Sequence, residues 1–184
     1  YLQDRLDPFS TKHAIKIIEE NIGLKLNKIF LNFNEDPIAS ASVAQVYKAT
    51  LLSGEKVAVK ILRPNIEKIL LADFKFFFWI SKQMEFFKPS LKRFKLSEMV
   101  KVFFQSSINE VDLRLEAASA NELKDNFNNF KNFKVPKIYW EFTSKDIMIL
   151  EYVDGVRIDK INNNKNINFN LEKLTELASE IFFL

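Results

Sequence analysis

The sequence predicts an α+β fold in which helices flank an antiparallel sheet. Two pairs of short strand-like segments each enclose turn residues, and helical stretches stand before, between and after them. The 184 residues have the usual length of one domain, and 47% of them are hydrophobic against 28% charged, which is typical of a folded protein. Because the chain holds 19 Phe and 3 Gly, aromatic rings are expected to fill much of its core.

A helix and a hairpin are predicted first. The helix covers Lys12 to Asn21, since Ser10 is a favoured N-cap and Gly23 a favoured helix stop. The hairpin joins a strand over Val43 to Leu51 to a strand over Lys56 to Leu62 through a turn that contains glycine.

Two long helices are predicted next. The first runs from Ile66 to Phe87 and is broken by Pro89. Its aromatic residues favour a face buried in the core, and a face that receives a prenyl chain or a membrane is the alternative. Ser97 is the predicted N-cap of the second helix, which reaches about Phe127 and bends near Ser106–Ser107.

The remaining segments predict a second hairpin and a last helix. The strands of this hairpin are expected over Val135 to Phe142 and over Asp146 to Val153. An Asn-rich stretch from Ile161 to Asn170 is typical of a loop, and helical periodicity resumes from Leu171 to Leu184.

Charge and residue counts exclude several functions. The 27 basic and 24 acidic residues are mixed along the chain without a basic stripe, so nucleic acid is not an expected partner. The sequence has no Cys, which excludes disulfides and thiolate metal sites. No unbroken apolar run reaches the roughly 20 residues that span a bilayer. The sequence opens at Tyr1 and ends in an apolar run, so we expect a fragment of a longer protein.

Lys60 is the most informative residue for function. It closes the run Val-Ala-Val-Lys and shares a strand face with Ala58 and Leu62, so its ammonium emerges from an apolar surface. A desolvated lysine needs an anionic partner, and phosphate oxygens or a carboxylate would serve. A solvent-facing lysine on an edge strand is the alternative for this short motif.

Two further segments could belong to the same site. Small residues cluster within Pro37 to Tyr47, where they would let the backbone approach a ligand closely, although a packing turn is the alternative. On the long helix, Asp112 and Glu116 are four residues apart and share a face. Glu110 is offset from both, and an ordinary surface pair with Arg114 is the alternative for it.

Taken together, these motifs resemble the UbiB family of atypical kinase-like proteins, which support ubiquinone biosynthesis in bacteria and mitochondria. The resemblance covers essentially the whole chain and rests on Leu2 to Arg5, Pro37 to Tyr47, Val57 to Pro64, Glu110 to Asn121 and Leu150 to Gly155. It implies a kinase-like N-lobe with family-specific helices over residues 1–150. The hinge and the start of a helical C-lobe follow over residues 151–184.

The resemblance also implies the roles of particular residues. Lys60 corresponds to the strand lysine that contacts the α and β phosphates of ATP, and Glu116 to the helix glutamate that pairs with it; both are predicted catalytic residues. Glu110 and Asp112 match the family's Glu-x-Asp motif, whose partner is a Lys-x-Gly-Gln motif in an N-terminal extension. The implied ATP-binding residues are Ala39, Ser40, Ala41, Ser42, Val43, Ala58, Lys60, Glu151 and Val153.

Several parts of a kinase-like site are missing from these 184 residues. The sequence contains neither the Lys-x-Gly-Gln motif, nor a His-x-Asp catalytic loop, nor an Asp-Phe-Gly-type metal motif. We therefore expect no metal ligands here, with the ligands of Mg²⁺ lying elsewhere in the intact protein. The fragment itself is expected to be inactive.

The resemblance implies an ATPase or phosphotransferase that supports ubiquinone biosynthesis, with ATP and Mg²⁺ as cofactors. The alternative is a non-catalytic scaffold that senses nucleotide or binds lipid. Quinone precursors and other quinone-biosynthesis proteins are the implied partners, and membrane association of the intact protein is left open. The implied location is the cytoplasmic side of the bacterial inner membrane, or the mitochondrion in a eukaryote.

Overall fold

The computed structural model describes residues 7–128, 130–156 and 170–182. The helices and the first hairpin follow the predicted order, and two short strands over residues 30–33 and 39–40, which were not predicted, precede that hairpin. The helices are α1 (Thr11–Ile22), α2 (Ile66–Phe87), α3 (Leu96–Glu110), α4 (Leu113–Asn126) and α5 (Leu171–Phe182). The strands are β1 (Phe30–Phe33), β2 (Ala39–Ser40), β3 (Ala44–Leu51), β4 (Lys56–Leu62) and β5 (Ile147–Glu151).

The five strands form one antiparallel sheet in which β3, β4 and β5 lie side by side. Both β1 and β2 pair with β3, at opposite ends of that strand. Across the three long strands, Val46 is paired with Lys60 and Lys60 with Met148. This register places Lys60 on a strand with neighbours on both sides, so the edge-strand interpretation of the lysine is wrong.

Each face of the sheet carries its own core cluster because alternate strand residues point to opposite faces. On one face, β4 residues Val57, Val59 and Ile61 are fully buried under α1. On the other face, α4 packs against Leu62 and Met148. The predicted alternation of β4 is confirmed, and Lys60 lies on the face that carries α4.

The first helix has the predicted ends. The Ser10 side chain accepts a hydrogen bond from the backbone N–H of His13 at 3.4 Å. Gly23 takes a left-handed conformation with φ of 76° and donates from its backbone N–H to Glu19 at 2.9 Å. A left-handed glycine of this kind is a common helix stop, because glycine adopts positive φ without a Cβ clash.

The predicted long helix is divided, and its start and its bend were placed wrongly. It is interrupted at Val111 and Asp112 rather than at Ser106–Ser107, because Val111 turns into the core and the Asp112 carboxylate caps the N–H of Arg114 at 3.1 Å. Ser97 is not the N-cap but a buried residue in the first turn of α3, held by Glu85.

The second hairpin is reduced to one strand and a bridge. Residues 140–142 form a short 3-10 turn instead of a strand, and Ile138 makes a single bridge to Leu150. The ladder is not extended, because the N–H of Lys137 donates to the Glu151 carboxylate at 3.3 Å and the N–H of Ile149 donates to the Thr143 hydroxyl at 3.4 Å. The predicted loop falls almost wholly on residues 161–169, which lie outside the described residues, as do Leu2 to Arg5.

The aromatic helix α2 is not a core helix along most of its length. Ile66 and Leu70, near its start, pack against the cluster under α4. Beyond them α2 pairs with α3, and many large apolar side chains remain exposed. On α2 these exposed residues are Ile69, Leu71, Phe76, Phe77, Trp79, Met84, Phe86 and Phe87.

Candidate functional site

Lys60 and Glu116 form a close ion pair between β4 and α4. The Lys60 ammonium donates to both carboxylate oxygens of Glu116, at 2.7 Å and 2.6 Å. The Lys60 side chain is 25% exposed and that of Glu116 is 47% exposed, so the pair borders solvent. A partly exposed pair contributes only about 0–1 kcal/mol to folding. Its geometry therefore fits a binding role better than a stabilising one.

The sheet around Lys60 presents a shallow apolar surface. Ala58 lies two residues before Lys60 and on the same face of the sheet. It is paired with Lys48 on β3 and with Leu150 on β5. Both Ala58 and Leu150 are partly exposed. Lys48 lies over the ring of Tyr152 at 4.1 Å from its centroid. A small residue flanked by aliphatic and aromatic groups offers a flat surface beside the lysine.

The small-residue segment forms a turn that leads into β3. Ala39 and Ser40 pair with β3, and Ala41 donates from its N–H to the Ala44 carbonyl at 2.9 Å. Ser42 at the turn is exposed. Val43 accepts from the backbone N–H of Arg63 at 2.8 Å, which ties the end of the turn to the end of β4.

Arg63 holds this turn from the side, and sequence reasoning missed it. Its Nε donates to the Ala41 carbonyl at 2.9 Å, and its Nη2 donates to the Ser40 hydroxyl at 2.9 Å and to the Asp7 carbonyl at 3.1 Å. The sequence patterns predict no role for Arg63 itself, although it lies within the segment Val57 to Pro64 that carries the resemblance. The sequence did contain a signal for this role. Arg63 follows Lys60 by three residues, so the two side chains do not share a strand face and Arg63 needs hydrogen-bond partners of its own.

A buried glutamine fixes the start of the described chain to the same region. Gln45 is fully buried, accepts from the N–H of Phe9 at 2.9 Å and donates to the carbonyl of Phe9 at 3.2 Å. It also contacts the Tyr47 hydroxyl at 2.6 Å. Burial raises the pKa of the Tyr47 hydroxyl, so this hydroxyl keeps its proton over the physiological range. The turn and the residues before α1 are thus one connected unit.

The predicted hinge residues follow directly from β5. Glu151 donates from its N–H to the Lys137 carbonyl at 2.8 Å, and its carboxylate binds the ammonium of Lys134. The hydrogen bond from Lys134 is the main cause that lowers the pKa of the Glu151 carboxyl. Val153 is exposed. The Glu151 side chain therefore binds residues 134–137 and not a ligand. The backbone carbonyls of Glu151 and Val153 are the groups that could contact a ligand.

Glu110 and Asp112 lie at the break between α3 and α4. Glu110 is exposed, while the Asp112 carboxylate binds the Arg114 guanidinium at 2.6 Å. This hydrogen bond is the main cause that lowers the pKa of Asp112. The expected shared helix face of Asp112 and Glu116 is absent, because Asp112 precedes α4 as its N-cap. Asp112 is nevertheless partly exposed, so both acidic residues can be reached from solvent.

Neither a metal centre nor a bilayer-spanning helix is found in the described part of the chain. Among residues 7–128, 130–156 and 170–182, no three His, Asp or Glu side chains come together in a way that could hold a metal ion. None of the helices in those same ranges combines the length and the apolar character that crossing a bilayer requires.

The chain matches the family model of the ABC1 atypical kinase-like domain over residues 1–184. It is 34% identical over 183 residues to the "Probable protein kinase UbiB" of Pseudomonas paraeruginosa, which covers 100% of this chain and 34% of that protein. The protein of the same name from Marinobacter nauticus is 38% identical over 182 residues, covering 99% and 33%. The chain thus spans about a third of the length of these curated relatives.

One solved structure has a similar fold. It is described as the complex structure of Rv3197-erythromycin from Mycobacterium tuberculosis, and it matches with a TM-score of 0.66 and 28% sequence identity. The match covers 85% of this chain and 39% of the other. Together with the antiparallel sheet and its flanking helices, this likeness confirms the predicted kinase-like fold class.

Proposed function

The chain belongs to the ABC1 family of atypical kinase-like domains, and on this basis we propose that the protein containing it binds ATP and either hydrolyses it or transfers its terminal phosphoryl group. The observation that carries the proposal is the pairing of Lys60 with Glu116 at 2.6 Å on an open sheet face. Glutamate fixes the ammonium at one position, where it remains accessible to an anionic ligand.

Phosphate is the ligand that this lysine fits. The Lys60 ammonium carries three donors, and the Glu116 carboxylate occupies part of that capacity from one side. The 25% exposure of the lysine side chain leaves a route for phosphate oxygens from the other side. In such a site the lysine binds and orients the phosphates and stabilises charge on them, while the glutamate acts as its positioning residue.

The purine ring would lie on the neighbouring apolar surface. Ala58 and Leu150 are partly exposed beside Lys60, and both are small or flexible enough to receive a flat ring. The backbone carbonyls of Glu151 and Val153 would meet the polar edge of the base, since the N–H groups of Glu151 and Tyr152 already donate to Lys137 and Lys56. Ser40 to Val43 would approach the phosphates with backbone rather than with charged side chains.

Metal binding and proton transfer would be supplied by parts of the protein outside these residues. Mg²⁺ bound with ATP neutralises phosphate charge during phosphoryl transfer, and hard oxygen ligands hold it. Because the described residues contain no acidic cluster that could hold it, we assign no residue of this chain to the metal.

Nucleotide binding by the intact protein tests this proposal directly. We expect Lys60→Ala to weaken ATP binding by about tenfold or more in titration calorimetry, since a charge-assisted hydrogen bond contributes about 1.5–3 kcal/mol. Lys16→Ala is the matched control, because Lys16 also pairs with a glutamate, Glu20 at 3.6 Å, but lies on α1 at the opposite face of the sheet. An unchanged dissociation constant for Lys60→Ala would remove the basis for an ATP site here.

Support of ubiquinone biosynthesis is the cellular role that we propose from the name of the relatives. The measurement is the ubiquinone content of a deletion strain that carries the wild-type or the Lys60→Ala protein. We expect the variant to fail to restore ubiquinone. If Lys60→Ala abolishes ATP binding and still restores ubiquinone, the protein acts as a scaffold, and catalysis is excluded as its role.

A further inference from the structure

The end of the α2–α3 hairpin combines exposed aromatic rings with positive charge. Phe86 and Phe87 at the end of α2 are 74% and 77% exposed, and Phe94 just before α3 is 50% exposed. Lys88, Lys92, Arg93 and Lys95 lie between and beside these rings, and all four are exposed. We call residues 86–95 the hairpin tip.

Contacts between α2 and α3 support the hairpin tip. The Glu85 carboxylate accepts hydrogen bonds from the backbone N–H and the hydroxyl of Ser97, at 3.0 Å and 3.1 Å, which joins the end of α2 to the start of α3. Behind it, the rings of Phe74 and Phe104 stack with centroids 4.2 Å apart. The aromatic rings of the tip therefore remain exposed at an end of the hairpin that these contacts hold together.

The sign of the charge at the tip selects its partner. Residues 86–95 contain four cations and no carboxylate. The whole chain in contrast has a net charge of only +3 from 27 basic and 24 acidic residues, so this concentration of positive charge is local. Arg93 lies over the Phe94 ring at 4.7 Å from its centroid, which places charge and apolar surface side by side.

We propose that the hairpin tip docks on an anionic lipid bilayer, with its phenylalanine rings entering the interface and its basic side chains binding lipid headgroups. Aromatic rings enter the boundary between headgroups and acyl chains, and nearby lysine and arginine residues are attracted to anionic headgroups. A protein segment that covered the tip would need carboxylates to match its charge, whereas a bilayer supplies both required chemistries over one continuous surface. The inference concerns a surface away from Lys60 and does not depend on nucleotide binding.

A fluorescent probe on the tip tests this inference in the intact protein. Ser90 is an exposed tip residue, so Ser90→Cys accepts an environment-sensitive dye once other cysteines of the protein are replaced. We expect the dye to move to an apolar environment with vesicles of phosphatidylcholine and phosphatidylglycerol in equal parts, but not with pure phosphatidylcholine. The same dye at exposed Ser53, in the β3–β4 turn, is the position control. Because the readout is local, other membrane contacts of the protein do not mask it.

Two sets of substitutions separate the charge from the apolar contribution. Combined Lys88→Gln, Lys92→Gln and Arg93→Gln should lower the partition of the tip on the order of a hundredfold, at about fivefold per basic residue. Combined Phe86→Ser and Phe87→Ser should lower it by about tenfold or more. The matched charge control is Lys12→Gln, Lys16→Gln and Lys28→Gln, which removes the same number of exposed cations elsewhere and should leave the partition unchanged.

Three results would overturn the inference. The first is a Ser90 dye that does not respond to anionic vesicles. A second is a Ser90 dye that a water-soluble quencher cannot reach in the absence of vesicles, since it would show that another part of the protein covers the tip. The third is a dimer that Phe86→Ser and Phe87→Ser convert to a monomer, because a second copy would then be the occupant.

Discussion

Arg63 donates a hydrogen bond from Nε to the carbonyl oxygen of Ala41 at 2.9 Å, across 22 residues of sequence. It thereby connects the end of β4, the strand of Lys60, to the turn that we propose approaches the phosphates of ATP. Because Nη2 of Arg63 also binds Ser40 and Asp7, one guanidinium fixes the turn relative to the lysine. The turn has no glycine, and its shape depends on these contacts.

Replacing Arg63 should weaken nucleotide binding, although Arg63 itself is not expected to contact the nucleotide. We expect Arg63→Gln to raise the dissociation constant for ATP by about tenfold, since positioned backbone groups lose their orientation. Calorimetric titration of the intact protein provides the measurement. Arg93→Gln, which removes an exposed arginine far from the turn, should bind ATP like the wild type. Equal affinities of the Arg63 and Arg93 variants would contradict a positioning role.

Gln45→Leu should destabilise the folded protein. The substitution removes both hydrogen bonds to Phe9 and leaves the Tyr47 hydroxyl without its glutamine partner inside the core. Leaving buried polar groups unpaired costs about 1–3 kcal/mol each. Chemical denaturation should therefore show a free energy of unfolding lower by a similar amount. A loss below about 0.5 kcal/mol would mean that the segment around Phe9 separates easily from the sheet.

Glu116→Gln should impair function and spare stability. The amide cannot balance the charge of Lys60, so the lysine loses its fixed position, whereas a half-exposed pair contributes only about 0–1 kcal/mol to folding. We expect ATP turnover of the intact protein to fall while its melting temperature changes little. Glu122→Gln, on the same helix and exposed, is the control for a general effect on α4. A large loss of stability in Glu116→Gln would instead assign the pair a structural role.

Acid should weaken the junction between α2 and α3. Hydrogen bonding from the Ser97 N–H holds the pKa of Glu85 below its usual range in the folded state. As the pH falls, the Glu85 carboxylate is therefore protonated in the unfolded chain before it is protonated in the folded protein. The stability that Glu85 contributes is present above about pH 4.3 and is lost as the pH falls through the folded pKa. Thermal unfolding should show Glu85→Gln less stable than the wild type at neutral pH, with the difference shrinking in acid. A difference that stays constant down to about pH 3 would contradict this linkage.

Residues 1–184 alone should bind ATP weakly and turn over none. The chain offers Lys60, the turn at Ala39 to Val43 and the backbone after β5, but its sequence contains no catalytic-loop or metal-binding motif. Much of the phosphate charge of ATP is met by Mg²⁺ in related sites, so both affinity and rate should suffer. Phosphate release by the purified chain, lost on Lys60→Ala, would contradict this assignment of roles.

Local patterns in the sequence predicted the strands and helices better than the contacts between them. The alternation in β4 predicted which face carries Lys60, and the periodicity of Ile66 to Phe87 predicted the limits of α2. The break at Val111 was not predictable, because it depends on a buried position formed by other segments. The same holds for Arg63, whose partners Ala41 and Asp7 are remote in sequence.

The attachment of α4 determines how the ion pair can open. Leu113, fully buried at the start of α4, donates from its N–H to the Lys145 carbonyl at 2.9 Å. Glu116 lies about 4.5 Å further along the helix axis, whereas Asn126 at the far end lies about four times further from that point. The point at which α4 is attached is therefore close to the Glu116 carboxylate. A swing of the far end of α4 about Leu113 moves Glu116 only about a quarter as far. The pair therefore separates through a new rotamer of Lys60 or Glu116, or through withdrawal of Leu113 from the core.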